Sequence, residues 1–252
     1  MNMSTLSGAK LENLFAVPFL SHMWPDSAQP NAELSRLVLE KADRVAGSIS
    51  NRGGWQSPYT LQEWPQPCFR ALVARMESMI AEMVRRQCPK VDERHLRNWK
   101  ITAWANVNPP GAFNASHDHS SDNNIWSGVY YVDVGRPDGN TPLGGRTIFE
   151  DHSLVPKEAL LDPNPFARET IVQPENGLMV LFPGSLYHRV EPYRGVGDRI
   201  TIAFNASHPG YVVPRYPGME ELNWRWKYFL GPMMTMQYLR RRARGLVGRG
   251  GR

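Results

Sequence analysis

The chain has 252 residues, 41% hydrophobic and 21% charged, which is enough for one large domain with a full core, or at most two. Its two cysteines, Cys68 and Cys88, exclude a disulfide framework or a paired-cysteine metal site. No stretch approaches the roughly 18 apolar residues of a membrane span, and the N-terminus lacks the basic patch and long apolar run of a signal peptide, so a reduced, cytoplasmic setting is expected.

The net charge of +5 is a property of one end. Six arginines and no acids fall within residues 239–252, so the rest of the chain is slightly acidic. No specific nucleic-acid binding is expected. The tail reads as a solvated, disordered end able to contact anionic surfaces.

In chain order, residues 31–50 place Leu34, Leu37, Val38, Ala42, Val45, Ala46 and Ile49 on one helical face, with Asn31 as the expected N-cap. A second helix is expected from about Pro67 to Cys88. It carries Phe69, Leu72, Val73, Met76, Met79, Ile80, Met83 and Val84 on one face and is stopped by Pro89. Its methionine stripe reads as core filling. Between the two, "SNRGGWQSPYTLQEWPQP" is a loop too long to be a mere connector.

After Asn98 the hydrophobic period drops to two. "WKITAWANV" sets Ile101, Ala103, Ala105 and Val107 against Lys100, Thr102, Trp104 and Asn106. Further strands are expected at Phe113–His119, Trp126–Val134, Arg146–Glu150, Glu169–Gln173, Leu178–Phe182, Tyr187–Val190 and Arg199–Ala206, separated by Gly- and Pro-rich turns. Eight short strands after two helices, without βαβ alternation, suggest a double-sheet jelly roll or small barrel. One domain over 1–238 is expected, with a helical layer at about 31–90 and a jelly-roll core at about 98–208.

"SHDHSSDNNIWSGVYYV", residues 116–132, carries the first chemical signal. In a strand, His117 and His119 point the same way and Asp118 points away. His188 begins a later strand after "FPG", and Arg199 opens the last one with Thr201 on its face. A mononuclear non-haem Fe(II) site needs one face of the metal held by histidine and carboxylate or histidine side chains, with the other face open. His117, His119 and His188 fit that need. Asp118 would replace His119 only if the strand bulged after His117. Asp118 and Asp122 are candidates to hold the ligating rings from behind.

The order "HxH", "SGVYYV", "GGRTIFED", "GLMVLFPGSLYHRVEP" and "RITIAFN" resembles the Fe(II)- and 2-oxoglutarate-dependent oxygenases. It is most similar to a bacterial 2OG-Fe(II) oxygenase family with an HxH…H…R pattern. The "NRGGWQS" loop shares the likeness, which spans most of residues 12–208. The resemblance implies a mainly β, cupin-like double-stranded β-helix with N-terminal helices. It makes His117 the first iron ligand and His188 the distal one, and sets Arg199 and Thr201 on the distal carboxylate of 2-oxoglutarate. Tyr131 stands where related prolyl hydroxylases place a tyrosine on that carboxylate. The superfamily's commoner second ligand is an acid, where this chain has His119.

The activity implied is hydroxylation of an unactivated C–H bond of an amino acid, peptide or small metabolite, consuming O2 and releasing succinate and CO2. Halogenation is disfavoured because His119 fills the position that halogenating relatives vacate. Two other readings remain: a three-His cupin-type iron dioxygenase that uses no 2-oxoglutarate, and a non-catalytic jelly-roll binding module. His22, His95, His152 and His208 fit no template. The tryptophans at 55, 64, 99, 104 and 126 are equally suited to a substrate mouth or to core packing.

Overall fold

The computed structural model describes residues 16–42, 50–120, 124–151 and 169–210. The chain divides into two compact units, Met1–Pro209 and Gly210–Arg252. Every element below lies in the first. The basic tail at 239–252, His152 and Asp122 lie outside the described residues.

The two expected helices are present as α1 (Ala28–Ala42) and α2 (Pro67–Gln87), and Val45, Ala46 and Ile49 of the first helix's expected face lie outside the described residues. The period-two region forms the strands β4 (Lys100–Asn108), β5 (Phe113–His117), β6 (Trp126–Asp133), β7 (Thr147–Glu150), β8 (Glu169–Val172), β9 (Leu178–Pro183), β10 (His188–Val190) and β11 (Arg199–Ser207). Three short strands precede them: β1 (Leu20–Met23), β2 (Asn51–Arg52) and β3 (Trp55–Gln56). All named pairings are antiparallel. One sheet runs β1-β9-β6-β11-β4-β3 and the other β2-β5-β10-β7-β8, the two-sheet, mainly β, jelly-roll arrangement expected.

The alternation in β4 is therefore not a core-versus-solvent pattern, because both faces of the larger sheet are covered. Ile101, Ala103, Ala105 and Val107 join Ile200, Ile202 and Phe204 on the face under the helices. There α2 inserts Phe69, Leu72, Met76, Met79, Ile80 and Met83, so the methionine stripe is core. Fully burying such a side chain is worth about 1.5–3 kcal/mol. The opposite face carries Trp104, Asn106, Arg199, Thr201 and Ala203 and looks into the space between the sheets. A smaller cluster of Tyr131, Phe149, Val180 and Phe182 closes that space at one side.

Two expectations are corrected here. Asn31 does not cap α1, which begins three residues earlier, with Asn31 N–H donating to Ser27 O. Its buried side chain instead ties the helix to the sheet: Nδ2 donates to Val132 O at 2.8 Å and Oδ1 accepts from Tyr130 Oη at 2.7 Å. The inter-helix segment is not merely a loop. Its two short strands lie in different sheets, β2 on β5 in one and β3 on β4 in the other, so the segment staples the two sheets together. Beyond β3, Ser57 Oγ and Gln62 Oε1 accept from Ala105 N and Ala103 N, covering an edge that would otherwise stay open.

Candidate metal and co-substrate site

The third correction concerns His119. Strand β5 ends at His117, so strand parity is not what turns His119 inward. Its backbone N–H donates to Gly184 O at 2.7 Å, and this bond folds the post-strand segment back over the site. Gly184 permits the approach, since a Cβ there would sit 2.8 Å from Asn124 O and 3.3 Å from His119 O.

The three histidines do converge. Candidate ligand atoms of His117, His119 and His188 all lie within 4.8 Å of one another, and the ring centroids are 4.5–5.2 Å apart. His117 and His188 face each other in register across β5 and β10. Each ring is oriented from behind by a main-chain carbonyl two residues earlier. His117 Nδ1–H donates to Ala115 O at 2.7 Å, and His188 Nδ1–H donates to Leu186 O at 2.9 Å. That leaves Nε2 of both as the nitrogen able to ligate.

His119 Nδ1 lies 3.5 Å from Asn205 Nδ2. Burial, reinforced by His117, pushes His119 down to about 4 and His188 down to about 3. Both rings are thus neutral at pH 7, the state a metal ion requires. Asp118 is not part of the cluster; its Oδ2 accepts from Ser120 Oγ at 2.7 Å.

The triad sits in a cavity of about 360 Å³ that also reaches Arg199 and Thr201. Arg199 is 1% exposed, no ion pair is formed with it among the described residues, and its Nε has no hydrogen-bond partner there. Burial alone pulls its pKa down from the ordinary guanidinium value. A buried, unpaired cation of this kind is costly unless an anion joins it. The orphaned Nε and the three converging imidazoles therefore fit, in one cavity, a divalent metal and a carboxylate-bearing ligand.

Tyr131 is fully buried behind the cavity wall. Its ring lies 5.6 Å from the Arg199 guanidinium carbon, and its hydroxyl is bonded to Thr147 Oγ1 at 2.7 Å. Thr147 itself faces the cavity. Gly145 lets the Arg199 stem pass: a Cβ there would lie 2.9 Å from Arg199 Cδ.

Of the five tryptophans, Trp104 alone lines the cavity, between Tyr59 (centroids 4.8 Å) and His119 (5.6 Å). Trp64 packs on Phe69, and Trp99 stacks with His208. Trp55 and Trp126 pack against the helix-side core. Sequence reasoning missed Asn205 and Thr147. Asn205 shares the inward parity of Arg199, Thr201 and Ala203 on β11, which marks its face but not its partner, and Thr147 was marked by nothing.

A family model described as "Putative 2OG-Fe(II) oxygenase" matches residues 102–205, the span from β4 to β11 that builds this cavity. Over that span, less than half of the chain, the protein is similar to the Fe(II)- and 2-oxoglutarate-dependent oxygenases, and the three-histidine cluster that lies within it could hold a metal ion.

Among solved structures, a prolyl-4-hydroxylase from Pseudomonas putida is 16% identical with a TM-score of 0.53, over 77% of this chain and 94% of that one. AviO1 from Streptomyces viridochromogenes Tue57 is 17% identical with a TM-score of 0.52, over 78% and 92%. A Trichoplax adhaerens prolyl hydroxylase, solved with a hypoxia-inducible-factor peptide fragment, is 16% identical with a TM-score of 0.51, over 75% and 83%. At these identities the likeness is one of fold. No curated protein matches the chain.

Proposed function

We propose that His117, His119 and His188 hold the iron and that Arg199, with Thr201, receives the distal carboxylate of 2-oxoglutarate, for hydroxylation of a C–H bond in a small-molecule or peptide substrate. The observation that carries this reading is the pairing, in one cavity, of a three-imidazole cluster with a buried arginine that has no counter-ion among the described residues.

When bound, iron and 2-oxoglutarate supply the oxidising chemistry with O2. The chain supplies the rest. The main-chain carbonyls behind His117 and His188 keep the ring protons on Nδ1, so Nε2 of each stays available. Arg199 binds and orients the co-substrate through a charge-assisted fork in a site removed from water. Tyr131 acts through other groups: its ring supports the guanidinium, and its hydroxyl fixes Thr147 at the cavity wall. The aromatic edge of Tyr59 and Trp104, next to His119, is the side from which a substrate would reach the metal. Peptide binding by the Trichoplax neighbour makes a peptide one admissible substrate, alongside a small metabolite.

The test is 2-oxoglutarate titration of the anaerobic Fe(II) protein, followed by its metal-to-ligand charge-transfer absorption. Removing one partner of a buried, hydrogen-bonded charge pair costs about 2–5 kcal/mol. At about 1.4 kcal/mol per tenfold, Arg199→Ala should bind 2-oxoglutarate roughly 30- to 4,000-fold more weakly while still binding iron. Equal affinity in the parent and in Arg199→Ala would remove Arg199 from the reading. Absence of the band in the parent would move the co-substrate elsewhere.

A further inference from the structure

His119 differs from its two partners in what stands behind it. A neutral imidazole carries one proton on one of two nitrogens, and only the other can ligate a metal. For His117 and His188, a carbonyl that can only accept fixes the proton on Nδ1. Behind His119 stands Asn205, an amide that can either donate or accept. Asn205 is 8% exposed on β11 and lies in register opposite Ser127 of β6, itself 1% exposed.

With its nitrogen toward the ring, Asn205 donates to His119 Nδ1, and Ser127 Oγ donates to Asn205 Oδ1 at 2.9 Å. That arrangement puts the ring proton on Nε2 and leaves this nitrogen no lone pair. A half-turn of the amide reverses every polarity without leaving a group unpaired. Oδ1 then accepts from His119 Nδ1–H and Nδ2 donates to Ser127 Oγ. The Ser127 hydroxyl in turn finds Phe204 O, 3.4 Å away.

We propose that Asn205, held by Ser127, is the positioning residue that sets which nitrogen of His119 carries the proton, and therefore whether the third ligand is ready for a metal. The inference rests on the ligand assignment made above. Of the two carboxylates expected from the sequence, Asp118 turns to Ser120, and Asp122 lies outside the described residues. The consequence is a site in which two ligands are fixed by the backbone and one is conditional on an amide.

Nitrogen-15 long-range correlation spectra of the histidine rings at pH 8, in the metal-free full chain, report the His119 tautomer directly. Zn(II) titration of the same samples reports metal affinity. Asn205→Asp, nearly isosteric and able only to accept, should hold His119 in the Nδ1–H form before metal is added and bind Zn(II) at least as tightly as the parent. Asn205→Ala should leave the tautomer unset and weaken Zn(II) by about 10- to 100-fold, the usual effect of losing a partner behind a ligand.

An unchanged tautomer in both variants, with Zn(II) affinities within threefold of the parent, would overturn the proposal. So would an Nε2–H ring in Asn205→Asp, the variant that carries the test if Asn205→Ala does not fold. A parent chain that binds neither Zn(II) nor Fe(II) would defeat the ligand assignment instead. The metal-free tautomer comparison would still decide the role of Asn205.

Discussion

His119 reaches the histidine cluster for a reason other than the one that singled it out. Strand parity selects it over Asp118, yet β5 has already ended, and the inward turn comes from a backbone bond to Gly184 O. The choice between the two residues is tested directly. His119→Ala should abolish stoichiometric Fe(II) binding, and Asp118→Ala should leave it intact, because the Asp118 carboxylate turns to Ser120. The reverse result in anaerobic Fe(II) titrations would hand the ligand role to the carboxylate. Arg199→Lys should recover only part of what Arg199→Ala loses in 2-oxoglutarate affinity, since an ammonium keeps the charge but lacks the planar fork. Single residues with strong chemistry, such as histidine and arginine, can be singled out as candidates from order alone. Asn205 and Thr147 were not, because an amide or hydroxyl acquires its role only from what lies across the sheet.

At the scale of elements, long periodic stretches were legible and short ones were not. The period of 3.6 in α2 and of two in β4 or β11 extends over enough residues to be read. The strands β2 and β3 have two residues each and lie among Gly, Pro and Trp, so no period exists to read. What makes them strands is the partner each finds, β5 for one and β4 for the other.

Asn31 failed as a cap for a similar reason: a polar residue early in a helix reads as a cap unless its distant partners are known. Its tie to Tyr130 and Val132 gives a stability prediction. Asn31→Ala strands a buried hydroxyl and a carbonyl, each costing about 1–3 kcal/mol, so denaturant unfolding should report a loss of about 2 kcal/mol or more. A loss below about 0.5 kcal/mol would mean the two groups find water. Gly145, at φ +63° and packed on the Arg199 stem, gives a functional counterpart. Gly145→Ala should weaken 2-oxoglutarate binding while sparing iron, since the added methyl meets Arg199 and not the histidines. Co-substrate affinity equal to the parent's in a folded Gly145→Ala protein would show that the guanidinium has room to shift.

For the molecule as a whole, gathering three imidazoles at the centre of a jelly roll couples stability to pH. In the metal-free protein His119 titrates at about 4 and His188 at about 3, against an ordinary value of 6.5. Both shifts are downward, with desolvation as the larger cause and the neighbouring His117 as the next. Between the two sets of values the unfolded chain binds more protons than the folded one, so acid favours unfolding. The contribution is fully present above about pH 6.5 and is lost progressively as the pH falls towards 4 and then 3. Melting temperature measured in chelator should therefore fall from pH 6.5 to pH 5, and His188→Gln, which cannot take up the proton, should show a shallower fall. A bound divalent ion stabilises the fold and steepens its pH dependence, because it binds the deprotonated rings of the folded state alone and competes with protons for them. Added Zn(II) should raise the melting temperature most near neutral pH and progressively less on acidification. A parent slope unchanged by His188→Gln would show that this ring is already solvated and that the centre of the fold is not closed around it.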